Sequence, residues 1–329
     1  MNNAKSILHV DEMIYTHKEK RRYFGTEQGF TLGPISFSMA NGETVAVIGN
    51  NGSGKTLLAK ALAGAVALDS GSIQLNRLAT NVENDQSATQ SETSTDKASL
   101  ADKEAKTDAK STDAPNIDVQ SNDQISDDAL SAENEKAGSS AKVQTKNRHK
   151  TQDIRLILQH SADALNPSLS IGNILTQTLH LNTKLNDAEK REKIENTLAK
   201  VGLLSEHYYY YRHMLSDGQQ QRIGLARALI LDPKIIVADE PFAALDPSVR
   251  SQTINLILKL QKDLGLGFVF ISHNIGIVRH ISDRVMVLDK GKIVEQGPTT
   301  QVFANPQHVV TQKLIQAHFA MVEKHFEQL

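Results

Sequence analysis

One stretch limits what this chain can fold into more than any other: Gly49-Asn50-Asn51-Gly52-Ser53-Gly54-Lys55-Thr56. Directly before it, Thr44-Val45-Ala46-Val47-Ile48 is a β-branched, apolar run of the kind that forms a buried strand. Directly after it, Leu57, Leu58, Ala61 and Leu62 recur at helical spacing. A strand, a glycine-rich turn and a helix together make the G-x-x-x-x-G-K-[ST] pattern a P-loop. Its glycines let backbone N–H groups converge on an anion, and the helix N-terminus adds partial positive charge. Lys55 is then expected to reach the β- and γ-phosphates of a nucleotide, and Thr56 to offer its hydroxyl to Mg²⁺.

The 329 residues suffice for one large α/β domain with additions, or for two ordinary ones. The formal charge of −2 gives no basic footprint for nucleic acid. The absence of cysteine excludes disulfides, thiolate metal sites and iron–sulfur ligation. No apolar run approaches the ~20 residues that span a bilayer. Met1-Asn2-Asn3-Ala4-Lys5-Ser6 lacks the apolar core of a signal peptide, so a cytoplasmic location is expected.

Ahead of the P-loop strand, Ile7–Ile14 and Ile35–Met39 are expected strands, with Lys18-Glu19-Lys20-Arg21-Arg22 as a solvated loop between them. After its helix, Asp69-Ser70-Gly71-Ser72 has turn composition and Ile73-Gln74-Leu75 restarts a strand. Composition then shifts abruptly. From Ala79 to Lys150 there is no Phe, Tyr or Trp, and Asn81–Lys146 holds 14 acidic residues against 7 lysines. That segment carries −7 and leaves +5 for the remainder. It lacks the apolar surface to offset its ordering entropy and is expected to be a disordered insertion.

Ile154-Arg155-Leu156-Ile157-Leu158 resumes as a strand, ending at Gln159. Helices are expected over Ile171–Leu204 and Met214–Leu231, and a buried strand over Ile235–Ala238. Asp246, Pro247 and Gly265 bracket a further helix as N-cap, first residue and C-cap. Phe268–Ile271 is another buried strand, and Val285–Leu288 with Lys292–Glu295 form a hairpin through Asp289-Lys290-Gly291. The tail from Pro306 carries Val310, Leu314 and Met321 on one helical face.

The order of the remaining motifs is the strongest signal. Asp239-Glu240 closes the apolar strand at Ile235–Ala238, expected beside the P-loop with Asp239 on Mg²⁺ through water and Glu240 as general base. Leu215-Ser216-Asp217-Gly218-Gln219 opens the helix that follows it and resembles the LSGGQ signature of ATP-binding cassette (ABC) ATPases. With it fall Gln159 at the Q-loop, Ala244-Leu245-Asp246 at the D-loop and His273 at the switch histidine. The resemblance covers the chain except the insertion. It implies an α/β P-loop NTPase of the ABC nucleotide-binding type: a RecA-like mixed, largely parallel sheet with helices, an antiparallel β subdomain and an α-helical subdomain. The implied organisation is residues 1–78 and 151–297 for the ATPase domain, 79–150 for the insertion and 298–329 for a helical tail.

The resemblance also implies roles. ATP is held by Gly49, Asn50, Asn51, Gly52, Ser53, Gly54, Lys55 and Thr56, with His17 or Tyr15 stacking on adenine by spacing. Mg²⁺ is held by Thr56, Gln159 and Asp239, and Glu240, His273 and Gln159 serve catalysis. ABC ATPases act as head-to-tail pairs, so Ser216, Gly218, Gln219 and Asp246 would serve the nucleotide of a second ATPase subunit, a related chain or another copy. The other partners implied are integral-membrane permease subunits, which bring the chain to the inner face of the cell membrane.

A finer resemblance, to the dipeptide/oligopeptide transport group, lies in Gln159–Pro167, which looks like its QDP…SLNP run, and in Tyr211-Arg212-His213, which looks like its YPH. Leu181-Asn182-Thr183, Val201-Gly202-Leu203-Leu204, Gly224–Leu231 and Arg250-Ser251-Gln252 point within it to subunits associated with peptide import and, in some bacteria, putrescine export. Asp217 departs from the signature by replacing its first glycine, and the insertion has no counterpart. The competing class, a soluble ABC ATPase of nucleic acid or ribosomes, should show twin cassettes, heptads or a basic stripe, and none is present. A regulatory subunit that binds ATP without hydrolysing it is opposed by Glu240 and His273.

Overall fold

The computed structural model describes residues 6–17, 29–76, 153–159, 163–243 and 245–326, with side chains to residue 320. The Lys18–Arg22 run, the insertion, residues 160–162, Ala244 and the Met321 side chain lie outside the described residues.

Two sheets carry the fold. The first is antiparallel, in the order β2-β1-β4, from β1 (Ser6–Thr16), β2 (Thr31–Ala40) and β4 (Ser70–Leu75). The second has six strands in the order β5-β6-β7-β3-β8-β9. Its strands are β3 (Thr44–Gly49), β5 (Ile154–Ile157), β6 (Ile235–Asp239), β7 (Gly267–Ile271), β8 (Arg284–Asp289) and β9 (Lys292–Pro298). All neighbours are parallel except β8 and β9.

Residue parity explains why the central strands are apolar throughout. Val45, Val47, Ile235, Val237, Val269 and Ile271 join the core shared with the antiparallel sheet and α1 (Lys55–Leu62). Their alternates Ile236, Ala238, Phe268 and Phe270 face a helical core on the other side. A sheet covered on both faces admits no polar alternation. That helical core includes α2 (Ile171–Asn182), α3 (Asp187–Lys200), α4 (Asp217–Leu229) and α5 (Pro247–Leu264). Phe268 and Phe270 stack with ring centroids 5.3 Å apart, and burying each contributes roughly 1.5–3 kcal/mol. Helices start where caps are supplied: Ser170, Asn186, Ser216 and, ahead of α6 (Ile275–Ile281), Asn274 each accept a bond from their own first turn. After β9 come α7 (Thr299–Ala304), which sequence periodicity did not disclose, and α8 (Val309–Phe326). Val310 and Leu314 of α8 pack on the small core formed by β3 and β8.

One expectation is corrected. Strand β4 begins at Ser70, inside the expected turn. Gly71, at φ 81°, crosses β1 so closely that a Cβ would lie 2.3 Å from the Glu12 carbonyl, and the β1 register shifts there. This glycine lies opposite a bulge in β1 rather than in a turn. Strand β6, which ends in Asp239, is separated from the P-loop strand by β7.

Glu295 fixes the start of α8 from outside the helix. Its carboxylate accepts the Gln307 N–H at 2.9 Å, the His308 N–H at 3.0 Å and the Thr311 hydroxyl. Burial alone would raise its pKa, but these hydrogen bonds, with the His308 ring nearby, hold it below the ordinary 4.5. A carboxylate depressed on folding stabilises fully above its unfolded pKa and loses that contribution as pH falls through the folded value. Glu295→Ala should therefore cost about 1 kcal/mol at pH 7, a Tm fall of roughly 2–4 °C, and the difference from wild type should shrink below pH 4. Calorimetric melts at pH 7 and pH 3.5 check this; an unchanged difference at both would remove the carboxylate from the account.

Candidate active site

The P-loop folds as its glycines require. Gly49, Gly52 and Gly54 have φ of 156°, 77° and 102°. A Cβ on Gly49 would meet the Leu288 carbonyl at 2.1 Å, whereas above Gly52 lies open space. The tip of the β8–β9 hairpin braces the loop, with the Gly291 N–H donating to the Ser53 carbonyl at 3.0 Å. Helix α1 begins at once after Gly54 with no side-chain cap, which leaves its first N–H groups for an anion. Lys55 folds back on the loop and donates to the carbonyls of Gly49 at 2.9 Å and Asn50 at 2.8 Å. Burial lowers its pKa, and the charges of Glu240 and Asp239 oppose that shift. Among the described residues the buried Ser53 hydroxyl has no hydrogen-bond partner. Glycine geometry, an uncapped helix start and a lysine bonded to loop carbonyls together fit a polyphosphate.

The loop is one wall of a cavity of about 590 Å³. Asp239, Glu240 and His273 come to it from the ends of β6 and β7, and Gln159 from just beyond β5. Because β7 is interposed, His273 stands next to Glu240. The Glu240 carboxylate accepts from the His273 backbone N–H at 3.0 Å and lies 2.8 Å from its Nδ1. Glu240 is mostly buried while the imidazole is exposed. Its φ of 48° is unusual for a non-glycine residue, and such backbone strain concentrates at functional sites. Thr56, Gln159 and Asp239 line the same cavity and offer hydroxyl, amide and carboxylate oxygens, the hard donors that Mg²⁺ prefers.

His17 lines the cavity and Tyr15 does not; Tyr15 packs against the core beneath the sheet. Sequence reasoning missed Phe30, which lines the cavity with His17 and accepts the His17 N–H at its carbonyl at 2.8 Å. It also missed Lys60 of α1. Spacing along one segment cannot reveal a residue brought in by another.

Ser216, Gly218, Gln219 and Asp246 stand apart from this cavity. Ser216 caps α4 in a capping box with Gln219. Gly218 packs so closely on α5 that a Cβ would sit 3.0 Å from the Val249 side chain. Asp217 is exposed in the first turn of α4, where the helix dipole favours a carboxylate. Exposed Asp246 begins α5 without a side-chain capping bond.

Residues 32–243 match the family described as ABC transporter. The chain belongs to the ABC transporter ATPase family. Among relatives of this ABC ATPase is the putrescine export system ATP-binding protein SapF of Escherichia coli K12, 35% identical over 96% of this chain and 94% of its own. The peptide transport system ATP-binding protein SapF of Salmonella typhimurium is 35% identical over 96% of this chain and 95% of its own. The solved structure of cbiO1 from Clostridium perfringens, part of the cbiONQ ABC transporter complex, shares the fold with a TM-score of 0.59. It is 24% identical and 91% of each chain is covered. The activity of this ABC ATPase is ATP hydrolysis. Among the described residues no helix is long and apolar enough to cross a membrane.

Proposed function

We propose that this chain is the ATP-hydrolysing subunit of a peptide transporter, bound to integral-membrane permease subunits on the cytoplasmic face of the cell membrane. The observation that carries the reading is the Glu240–His273 pair lining one cavity with Lys55. Lys55 and the loop N–H groups hold the β- and γ-phosphates, while His17 and Phe30 flank the base. Thr56, Gln159 and Asp239 hold Mg²⁺, which neutralises phosphate charge when bound. Glu240 takes the proton of the attacking water, and His273 orients that carboxylate beside the γ-phosphate. Ser216, Gly218, Gln219 and Asp246 serve the nucleotide on a second ATPase subunit. The acidic Asp217 in the signature favours a related chain over another copy in that position. Residues 1–78 and 151–297 act as the ATPase domain, and residues 79–150 are an addition to it.

Peptide as substrate is supported by the Salmonella relative's name and by the Gln159–Pro167 and Tyr211–His213 runs. Putrescine, in the name of the Escherichia coli relative, is the second reading. Affinity purification from membranes should bring down permease chains and a second ATPase. In vesicles, ATP hydrolysis by that complex should rise severalfold with peptides. Stimulation by putrescine alone would replace the peptide reading, and purification without membrane chains would end both.

A further inference from the structure

Glu240 sits on strained backbone, and a side chain from another element holds the peptide behind it. At φ 48°, Glu240 is followed by the buried Pro241. On the near side, the Glu240 N–H donates to the Ile271 carbonyl of β7 at 3.0 Å. On the far side, the Pro241 carbonyl accepts from Nε2 of Gln221 at 2.8 Å. Gln221 stands half-buried in the second turn of α4. Its neighbours bond elsewhere: Gln220 Nε2 donates to the Leu215 carbonyl at 3.0 Å and Arg222 to the Val201 carbonyl at 3.2 Å.

Elementary chemistry fixes this bond and what it controls. A carbonyl oxygen can only accept, so the NH₂ end of the Gln221 amide faces Pro241. The proline ring locks its own φ, so the carbonyl that Gln221 holds is one soft torsion from the Glu240–Pro241 peptide. The strained residue is therefore pinned on both sides. A positive φ is costly for a residue with a side chain and persists only where the surroundings over-determine it. Phe242, stacked on Phe270 with ring centroids 5.8 Å apart, secures the turn one residue further on by apolar packing. With the Pro241 carbonyl released, the backbone at 240 relaxes toward negative φ. That swings the carboxylate away from the His273 N–H, which it accepts at 3.0 Å.

We propose that Gln221 is a positioning residue for hydrolysis: it ties α4 to the peptide behind Glu240 and keeps that carboxylate where it meets the attacking water. The inference rests on the base role given to Glu240 above.

Two substitutions of similar length remove the donor. Gln221→Met fills the volume and makes no bond, and Gln221→Glu sets a carboxylate oxygen against the Pro241 carbonyl. In the full transporter kcat should fall about tenfold to a hundredfold in both, the scale of a small misplacement of a reacting group. The ATP Kd of the isolated full-length chain should be unchanged. Wild-type kcat in the Met variant would overturn the proposal, as would a loss of ATP affinity that matches the loss of rate. Should the Met variant fold poorly, the Glu variant carries the same measurements.

A double substitution separates positioning of Glu240 from a general effect on the fold. Added to Glu240→Gln, Gln221→Met should lower single-turnover hydrolysis no further, because both changes act through one group. A further tenfold fall would overturn the proposal. Crystal structures give a readout independent of turnover. In the full-length Met variant the Glu240 carboxylate should have left the His273 N–H, and an unmoved carboxylate would overturn the positioning role. A displaced carboxylate, with Glu240→Gln hydrolysing ATP at the wild-type rate, would leave the positioning standing and refute the base role instead.

Discussion

Glu240→Gln should leave ATP bound and lower steady-state hydrolysis by roughly 10²–10⁴, the usual contribution of a positioned general base. The substitution is close to isosteric. An amide oxygen in place of Oε1 can still accept the His273 backbone N–H, which now donates at 3.0 Å. The ring contact at 2.8 Å also survives with an Nδ1–H tautomer. What the amide cannot do is accept a proton from water. Shape and nucleotide affinity are therefore kept while the chemical step is lost. Single-turnover hydrolysis and ATP Kd, measured on the same preparation, separate the two effects. Near-wild-type turnover with Gln at 240 would move the base elsewhere. A large loss of ATP affinity would instead make Glu240 a binding group.

Lys55→Ala should weaken ATP binding by about 10²–10⁴, the worth of two charge-assisted hydrogen bonds at roughly 1.5–3 kcal/mol each. The Lys55 ammonium makes two bonds to loop carbonyls, Gly49 and Asn50, and phosphate oxygens are the stronger acceptors in reach. Because burial disfavours the charged ammonium, removing it should leave Tm unchanged or slightly higher, so lost binding cannot be charged to unfolding. Isothermal titration with ATP and a thermal melt make the test. Unaltered affinity in Lys55→Ala would mean that the loop N–H groups alone hold the phosphates.

Much of the site was legible in the sequence because its chemistry lies in contiguous strings. The P-loop, Asp239-Glu240 and the Ser216–Gln219 turn each sit at the end of a strand or the start of a helix, and the apolar runs beside them mark those ends. The apolar runs also disclosed the central strands, since a sheet covered on both faces leaves its strands apolar at every position. What stayed hidden depends on pairing across the chain. The placement of β7 between β6 and β3 is a topological fact that no local window carries, although it decides that His273 stands beside Glu240. Phe30 is joined to His17 by a backbone bond just past the end of the β1–β2 ladder, and Gly71 is needed because of the β1 carbonyl that crosses it.

Strands β4 and β5 are both outermost, one in each sheet, and the chain departs after the first and returns into the second. Strand pairing within either sheet thus continues uninterrupted past the junction. Natural selection has a free margin there, where length and composition can drift without disturbing the register of any ladder. For the experimenter the same junction is a splice port: a fluorescent reporter or an affinity handle could replace residues 81–146 and travel with the ATPase through its catalytic cycle.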